Sequence, residues 1–163
     1  MDRRIEEEMI AFLPRLRRFA FALTGTWPDA DDLVQATCAR AIERLELWET
    51  GTRLDSWMYR IAQNLHRNDL RKDRIRRSHL QEVGGSDFDM VSQNAPMDRM
   101  ALGDLGVALN RLPADQRVAL VLVAVDGRSY QETADLLEMS PGTVASRVSR
   151  ARTTLSKMLE GDD

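Results

Sequence analysis

Apolar positions recur along most of this chain at steps of three and four residues, the spacing of one face of an α-helix. Met9, Phe12, Leu13, Leu16, Phe19, Ala20 and Leu23 form a first stripe. Pro14 falls inside it. A proline in a helix interior removes a backbone donor and crowds the preceding turn, so a break or restart near Leu13 is predicted. Gly25 is placed to cap the segment. A second stripe, Ala30, Leu33, Val34, Thr37, Cys38, Ala41, Ile42 and Leu45, follows Asp29, which stands where its N-cap is expected. Thr50, Gly51 and Thr52 mark a loop. Beyond it Leu54, Trp57, Met58, Ile61, Ala62 and Leu65 make a third stripe, with Trp57 read as core. The outer face of that helix carries Arg53, Tyr59, Arg60, Gln63, Asn64, Arg67, Asn68 and Arg71.

The periodicity dissolves from 78 to 96, where glycine, serine, asparagine and acidic residues replace the stripe, and a linker is predicted. Helical spacing resumes at Met97, Met100, Ala101, Leu105, Ala108 and Leu109. Pro113 suits the first position of the next helix, which runs through Val118, Ala119, Leu122 and Val123 to a turn at Asp126 and Gly127. Ser129 and Glu132 read as a capping box opening a short helix. Ser140 and Pro141 then start a last helix with the inner stripe Val144, Val148, Ala151 and Leu155. The fold class predicted is all-α, with two small helical domains at 1–77 and 97–163 joined by a flexible linker at 78–96.

Composition narrows the function. The 163 residues contain 23 basic and 26 acidic side chains, a net charge of -3, which argues against an indiscriminate nucleic-acid coat. The signs are segregated, however, with arginines concentrated in 67–77 and 147–152. Arginine's planar fork suits phosphates and guanine better than a lysine does. A chain basic only locally should need a partner to hold it on DNA. No apolar run approaches the ~20 residues that cross a bilayer, and the amino terminus leads into no signal-type segment. The expectation is a cytoplasmic protein without membrane insertion. Cys38, the single cysteine, reads as a small buried hydrophobe, and His66 and His79 have no ligand array around them, so no metal and no cofactor are predicted.

The segment SYQETADLLEMSPGTVASRVSRARTTL has the parts of a helix-turn-helix: a short helix, a tight turn, a small residue at Ala134 and a second helix. The outer face of that second helix offers Thr143, Ser146, Arg147, Ser149, Arg150 and Thr154, with Arg152 to one side. These hydroxyls and guanidiniums suit phosphates and base edges. On the third helix Tyr59, Arg60, Asn64, Arg67, Asn68 and Arg71 could follow a nucleic-acid backbone or hold unstacked bases.

Four blocks in order, LPRLRRFAFALTG, DADDLVQATCARAIERL, DSWMYRIAQNLHRNDLRK and LNRLPADQRVALVLVAVDGRSYQETADLLEMSPGTVASRVSRAR, resemble the extracytoplasmic-function group of bacterial sigma factors over nearly the whole chain. The resemblance implies a sigma region 2-like bundle at 1–77 and a region 4-like helix-turn-helix domain at 97–163. It implies an alternative sigma factor that binds the clamp and flap regions of core RNA polymerase, recognises and melts promoter DNA, and is held by an anti-sigma protein. Polymerase binding is expected at Asp31, Asp32 and Gln35. Minus-ten contacts are expected from Trp48, Thr50, Gly51, Arg53, Tyr59, Arg60, Asn64, Arg67, Asn68 and Arg71. Minus-thirty-five contacts are expected from Thr143, Ser146, Arg147, Ser149, Arg150 and Arg152. Ala145 and Ser149 are small where relatives often carry longer side chains, so the preferred sequence cannot be copied from them.

A helix-turn-helix regulator that is not a sigma factor would share the last block, but the basic, Asn- and Arg-rich third helix opposes it. An adaptor sequestering another factor would support no promoter-specific transcript. An enzyme is not expected, since no phosphate loop, nucleophile with a paired base or metal array occurs.

Overall fold

The computed structural model describes residues 1–82 and 105–161, all helices and turns. Helix α1 spans Arg3–Thr24 and α2 spans Trp27–Glu43. A 3₁₀ turn at Leu45–Leu47 leads through a loop to α3, Leu54–Glu82. Helical residues 105–111 form α4, followed by α5 (Ala114–Leu120), a π-helical turn (Val121–Val125), α6 (Tyr130–Leu137) and α7 (Pro141–Glu160).

Three sequence expectations are corrected here. Helix α1 does not break: Pro14 sits within it. Both Pro14 and Ile10, whose carbonyl loses its donor, are exposed, so water can serve that carbonyl while Met9, Phe12, Leu16 and Phe19 hold the other face in the core. The N-cap of α2 is Thr26, whose Oγ1 accepts from the Asp29 amide at 3.3 Å; Asp29 belongs to the first turn, where its charge favours the helix dipole. Helix α3 continues to Glu82, past the predicted boundary at 77, because no glycine or proline interrupts 78–82. The remainder of the predicted linker, with Met97, Met100 and Ala101, lies outside the described residues.

The carboxyl-terminal caps match the sequence reading. Ser129 Oγ accepts from the Glu132 amide at 3.0 Å and Glu132 Oε1 from the Ser129 amide at 3.4 Å, completing the capping box. Ser140 Oγ accepts from the Thr143 amide at 3.2 Å, with Pro141 in the first helical turn. Ala134 packs among Leu109, Ala119, Val144 and Val148, which lets α6 and α7 approach closely.

Two apolar clusters are local. Ala20, Phe21, Trp27, Ala30 and Leu33 join α1 to α2, and a second cluster fills the carboxyl-terminal half. The third crosses between the halves. Met9, Phe12, Leu16 and Phe19 of α1 and Met58, Tyr59 and Ala62 of α3 pack with Val118, Val121, Leu122, Leu136 and Leu137. The two predicted domains are therefore docked through one continuous core. Gly25 shows how close the approach is: its φ of 83° is left-handed, and a Cβ there would lie 2.9 Å from Asn110 Oδ1 and 3.3 Å from Arg117 Nη2.

Candidate polymerase and promoter interfaces

On α2 the alternation of buried Ala30, Leu33, Thr37 and Ala41 turns Asp32 and Gln35 outward, where both are exposed. Asp31 is different. Its carboxylate accepts from Arg17 Nε at 2.7 Å and Nη2 at 3.3 Å, and Arg17 in turn lies 4.4 Å from the Trp27 ring centroid. Asp31 thus ties α2 to α1 rather than standing free. Cys38 is half-buried, and burial pushes its thiol up, away from the reactive thiolate. Ile42, placed in the inner stripe by sequence, is 53% exposed, because the stripe drifts off the shared core at the end of α2.

The loop before α3 exposes Thr50 and Gly51, the latter at φ 94° with open space around it. Trp48 is half-buried against the shared core. Arg60, Asn64, Arg67, Asn68 and Arg71 are exposed along α3, at the spacing of one face. Tyr59 is not among them. It is fully buried, its ring 4.9 Å from Phe12 and 4.5 Å from Phe19, and burial pushes its hydroxyl pKa far up. Gln63 is also buried; with its amide oriented to satisfy both ends, it donates to the Leu136 carbonyl at 3.1 Å and accepts from Arg67 Nη2 at 3.1 Å. Trp57, expected in the core, sits at its rim. With Arg40, Arg44, Leu47, Asn64 and Asn68 it lines an open groove of about 340 Å³ between α2 and α3.

The capped start of α7 aims its outer face at solvent. Thr143, Ser146, Ser149, Arg150 and Arg152 are exposed, while Val144, Val148, Ala151 and Leu155 anchor the helix. Thr143 Oγ1 lies 2.9 Å from Ser140 Oγ, so this hydroxyl shares the cap. Arg147 is half-buried and faces Asp115 at 3.6 Å. Together Asp115, Gln116, Ser140, Gly142, Thr143, Ser146, Arg147 and Arg150 line a polar groove of about 470 Å³.

A cluster that sequence reasoning missed lies where the halves meet. Arg15 of α1 donates to Asp126 Oδ1 at 2.6 Å through Nε, and through Nη2 to Asp126 Oδ2 at 3.2 Å and Asp55 Oδ2 at 3.0 Å. Arg128 donates to Asp126 Oδ2 at 3.0 Å and to Ser56 Oγ at 3.2 Å, with Asp55 Oδ2 3.1 Å from its Nη2. Arg53 holds Asp55 through two bonds of 3.2 and 2.9 Å and reaches across to Glu132 Oε2 at 2.5 Å. The side chains of Arg128 and Asp126 are only 3% and 5% exposed. Burial pushes Asp126 and Asp55 up, but the hydrogen bonds from Arg15 to Asp126 and from Arg53 to Asp55, with the nearby arginine charges, hold both below the usual carboxylate range. The π turn assists: it bonds the Asp126 amide back to Val121 O at 2.9 Å, setting Asp126 and Arg128 against α1 and α3. No spacing rule could have found this set, because a bonded pair such as Arg15 and Asp126 lies 111 positions apart.

Arg117 makes a second junction. It is 5% exposed and donates to Ala22 O at 2.6 Å and to Asn110 O and Leu112 O at 3.3 Å each. Burial lowers its pKa, and its charge rests on carbonyls at the carboxyl ends of α1 and α4, the negative ends of those helix dipoles. Among the described residues no helix is long and apolar enough to cross a membrane, and no group of His, Cys, Asp and Glu is arranged to hold a metal ion.

These features define, among the described residues, an all-helical arrangement of two docked halves with an exposed polar face on the second helix of a helix-turn-helix. The description "Sigma-70, region 4" matches residues 102–155, and "Sigma2 domain of PhyR" matches residues 9–63. The chain is 38% identical over 159 residues to the ECF RNA polymerase sigma factor EcfG of Rhodopseudomonas palustris, covering 97% of this chain and 86% of that one. It is 32% identical over 146 residues to SigM of Mycobacterium tuberculosis, covering 89% and 71%. Among solved structures, the sigma factor RpoE from Bartonella quintana, in complex with the anti-sigma factor NepR, superposes with a TM-score of 0.79 at 34% identity, covering 99% of this chain and all of that one. CnrH, in complex with the cytosolic domain of CnrY, gives 0.69 at 25% identity, covering 97% and 88%. The chain belongs to the ECF RNA polymerase sigma factors.

Proposed function

We propose that this chain binds core RNA polymerase and brings it to specific promoters, recognising two DNA elements and opening one of them. The observation that carries this reading is that one chain of this family presents two separate arginine-rich helical faces to solvent, one on α3 and one on α7. The exposed Asp32 and Gln35 face of α2 is assigned to the polymerase clamp, with Asp31 holding α2 in place behind it, and the carboxyl-terminal half is assigned to the flap. Arg60, Asn64, Arg67, Asn68 and Arg71, with Trp48, Thr50, Gly51 and Arg53 of the preceding loop, are assigned to the minus-ten element. Tyr59 supports them from within the core. Thr143, Ser146, Arg147, Ser149, Arg150 and Arg152 are assigned to the minus-thirty-five element.

The chain acts by binding, without a cofactor of its own, and works in the cytoplasm where core polymerase and promoter DNA are found. An anti-sigma protein would control it by gripping both halves; that such a partner exists is supported by RpoE of Bartonella quintana, which is solved in complex with the anti-sigma factor NepR. Run-off transcription with purified core polymerase on genomic fragments tests the whole reading. Discrete start sites that depend on this chain are expected. Their absence, with DNA binding intact, would return the chain to a helix-turn-helix regulator that is not a sigma factor.

A further inference from the structure

Helix α3 runs on past the apolar groups that anchor it. From Arg71 to Leu80 every residue except Asp73 is exposed. The stretch from Arg71 to Arg77 holds five basic side chains and one acidic one. Among the described residues, no side-chain hydrogen bond or ion pair engages Arg71, Lys72, Arg74, Arg76 or Arg77. Like charges three residues apart, such as Arg71 with Arg74 and Arg74 with Arg77, repel along a helix, and an anionic surface would relieve that repulsion. The spacing also has a direction. Arg60, Asn64, Arg67, Arg71 and Arg74 follow one another at steps of four, three, four and three, so Arg74 continues the ridge assigned to the minus-ten element. Arg77, one turn on, lies about 60° to one side of Arg74, whereas Arg76 lies about 160° round the helix from it. The exposed apolar residues do not share a face: Leu70, Ile75 and Leu80 recur every five residues and so are spread around the helix. A lipid surface or a protein groove would need an apolar stripe beside the charge, and this end of α3 has none.

We propose that Arg74 and Arg77 grip phosphates of the DNA duplex immediately upstream of the minus-ten element, a sequence-independent hold added to the base-reading part of α3. This inference rests on the assignment of α3 to that element. Length supports it. At 1.5 Å per residue, Arg60 to Arg71 covers about 16 Å, and Arg77 lies about 9 Å beyond. Phosphates along one strand recur every ~3.4 Å, so the added reach amounts to roughly two or three nucleotides. The chain leads from α3 to the half assigned to the minus-thirty-five element, which directs that reach upstream, where the DNA is still paired. A guanidinium suits the target, because its planar fork can bond two phosphate oxygens at once. Such contacts fix the register of a protein on the duplex without reading its sequence. Asn64 and Asn68 then meet bases from an anchored helix. The two arginines hold the paired side while the loop before α3 engages the opened strand.

The test uses holoenzyme formed from purified core polymerase and the full chain. The parent is compared with Arg74→Gln plus Arg77→Gln, and with Arg76→Gln, which removes the same kind of charge from the opposite face. All of these positions are exposed, so circular dichroism and the urea midpoint should not change. The DNA probes are a promoter duplex and the same duplex with uncharged methylphosphonates just upstream of the minus-ten element on both strands. On the native duplex the double variant should bind about tenfold more weakly than the parent, with a salt slope lower by roughly two. Uncharged linkages should cost the parent a similar factor and the double variant almost nothing. Arg76→Gln should match the parent on both probes. A double variant that binds as tightly as the parent overturns the proposal, as does an equal loss in Arg76→Gln. So does a double variant that still loses affinity on the uncharged probe. Weaker association of the double variant with core polymerase alone also overturns it, since the ridge would then face a protein. Parent holoenzyme that prefers a promoter but ignores the uncharged linkages sinks this proposal alone. Parent holoenzyme with no promoter preference sinks the sigma-factor reading, and this proposal with it.

Discussion

Arg15 and Asp126 lie 111 positions apart in the chain, yet Arg15 Nε donates to Asp126 Oδ1 at 2.6 Å and locks the first helix to the turn before the helix-turn-helix. Asp126 is doubly held, since Arg128 donates to its other oxygen at 3.0 Å, and that pair is almost fully enclosed. The two arginines therefore contribute unequally.

Arg15→Ala should cost about 1–2 kcal/mol of unfolding free energy, because Asp126 keeps one charged partner and Arg15 is a third exposed. Arg128→Ala should cost about 3–5 kcal/mol, since it removes an enclosed cation shared by Asp55, Asp126 and the Tyr59 ring. Urea unfolding of the two variants checks this order. Equal losses would mean that the cluster is less enclosed than described.

The same carboxylates set a dependence on pH. Asp55 and Asp126 are held below the usual carboxylate range in the folded protein, so between their folded and unfolded pKa values the unfolded chain binds more protons. Their contribution is complete above the unfolded value of about 4 and is lost as pH falls through the lower folded values. The urea midpoint should stay level from pH 7 toward 5 and drop steeply below about 4. Asp126→Asn should lower the midpoint at pH 7 and flatten the acid drop. A variant with the parent's full acid drop would show that Asp126 is not a source of it.

Core binding and stability should separate on α2. Asp32→Arg with Gln35→Ala should weaken core binding while leaving the unfolding midpoint unchanged, since both side chains are exposed. Asp31→Arg should cost about 1 kcal/mol of stability, because it replaces the partner of Arg17 with a like charge. Pull-down with core polymerase, alongside urea titration, measures both. Full core affinity in the folded double variant would take this face out of the interface.

Base reading and charge should separate on α7. Ser146 and Arg150, four residues apart, share an exposed face and can enter one groove. As holoenzyme, Arg150→Ala should cost about 1–3 kcal/mol and relax selectivity at one upstream base pair. Arg147→Ala should weaken binding to all upstream variants alike with a shallower salt dependence, as loss of a phosphate contact does. Its half-buried guanidinium already faces Asp115 at 3.6 Å, so Asp115→Asn should strengthen binding generally by freeing it. Affinities for single-base promoter variants at two salt concentrations decide the matter. A uniform loss for Arg150→Ala, with base preference intact, would remove it as a base reader.

Much of this protein was legible before any coordinates. The stripes of α1, α2, α3 and α7, the caps at Ser129 and Ser140 and the close packing at Ala134 follow from interactions within three or four residues, where sequence spacing and spatial spacing coincide. The polar face of α7 was legible for the same reason. Where a local rule failed, a tertiary contact had outweighed it. Core packing around Met9, Phe12 and Leu16 carries α1 through Pro14, and Tyr59, which helical spacing puts beside Arg60, is drawn inward by Phe12, Phe19 and the arginine of another lobe.

The sequence by itself determined the helices, their caps, the order of the blocks and the two arginine-rich faces, because each depends on neighbours along the chain. Only the tertiary structure decided that Asp31 serves Arg17, that Arg53 meets Glu132, and that Arg15, Asp55, Asp126 and Arg128 form one enclosed cluster. An ion pair carries no periodicity, and a guanidinium can choose among many carboxylates of equal charge. The choice falls to the apolar core shared by α1, α3, α5 and α6, which brings these particular groups within reach and removes the water that would otherwise keep them apart.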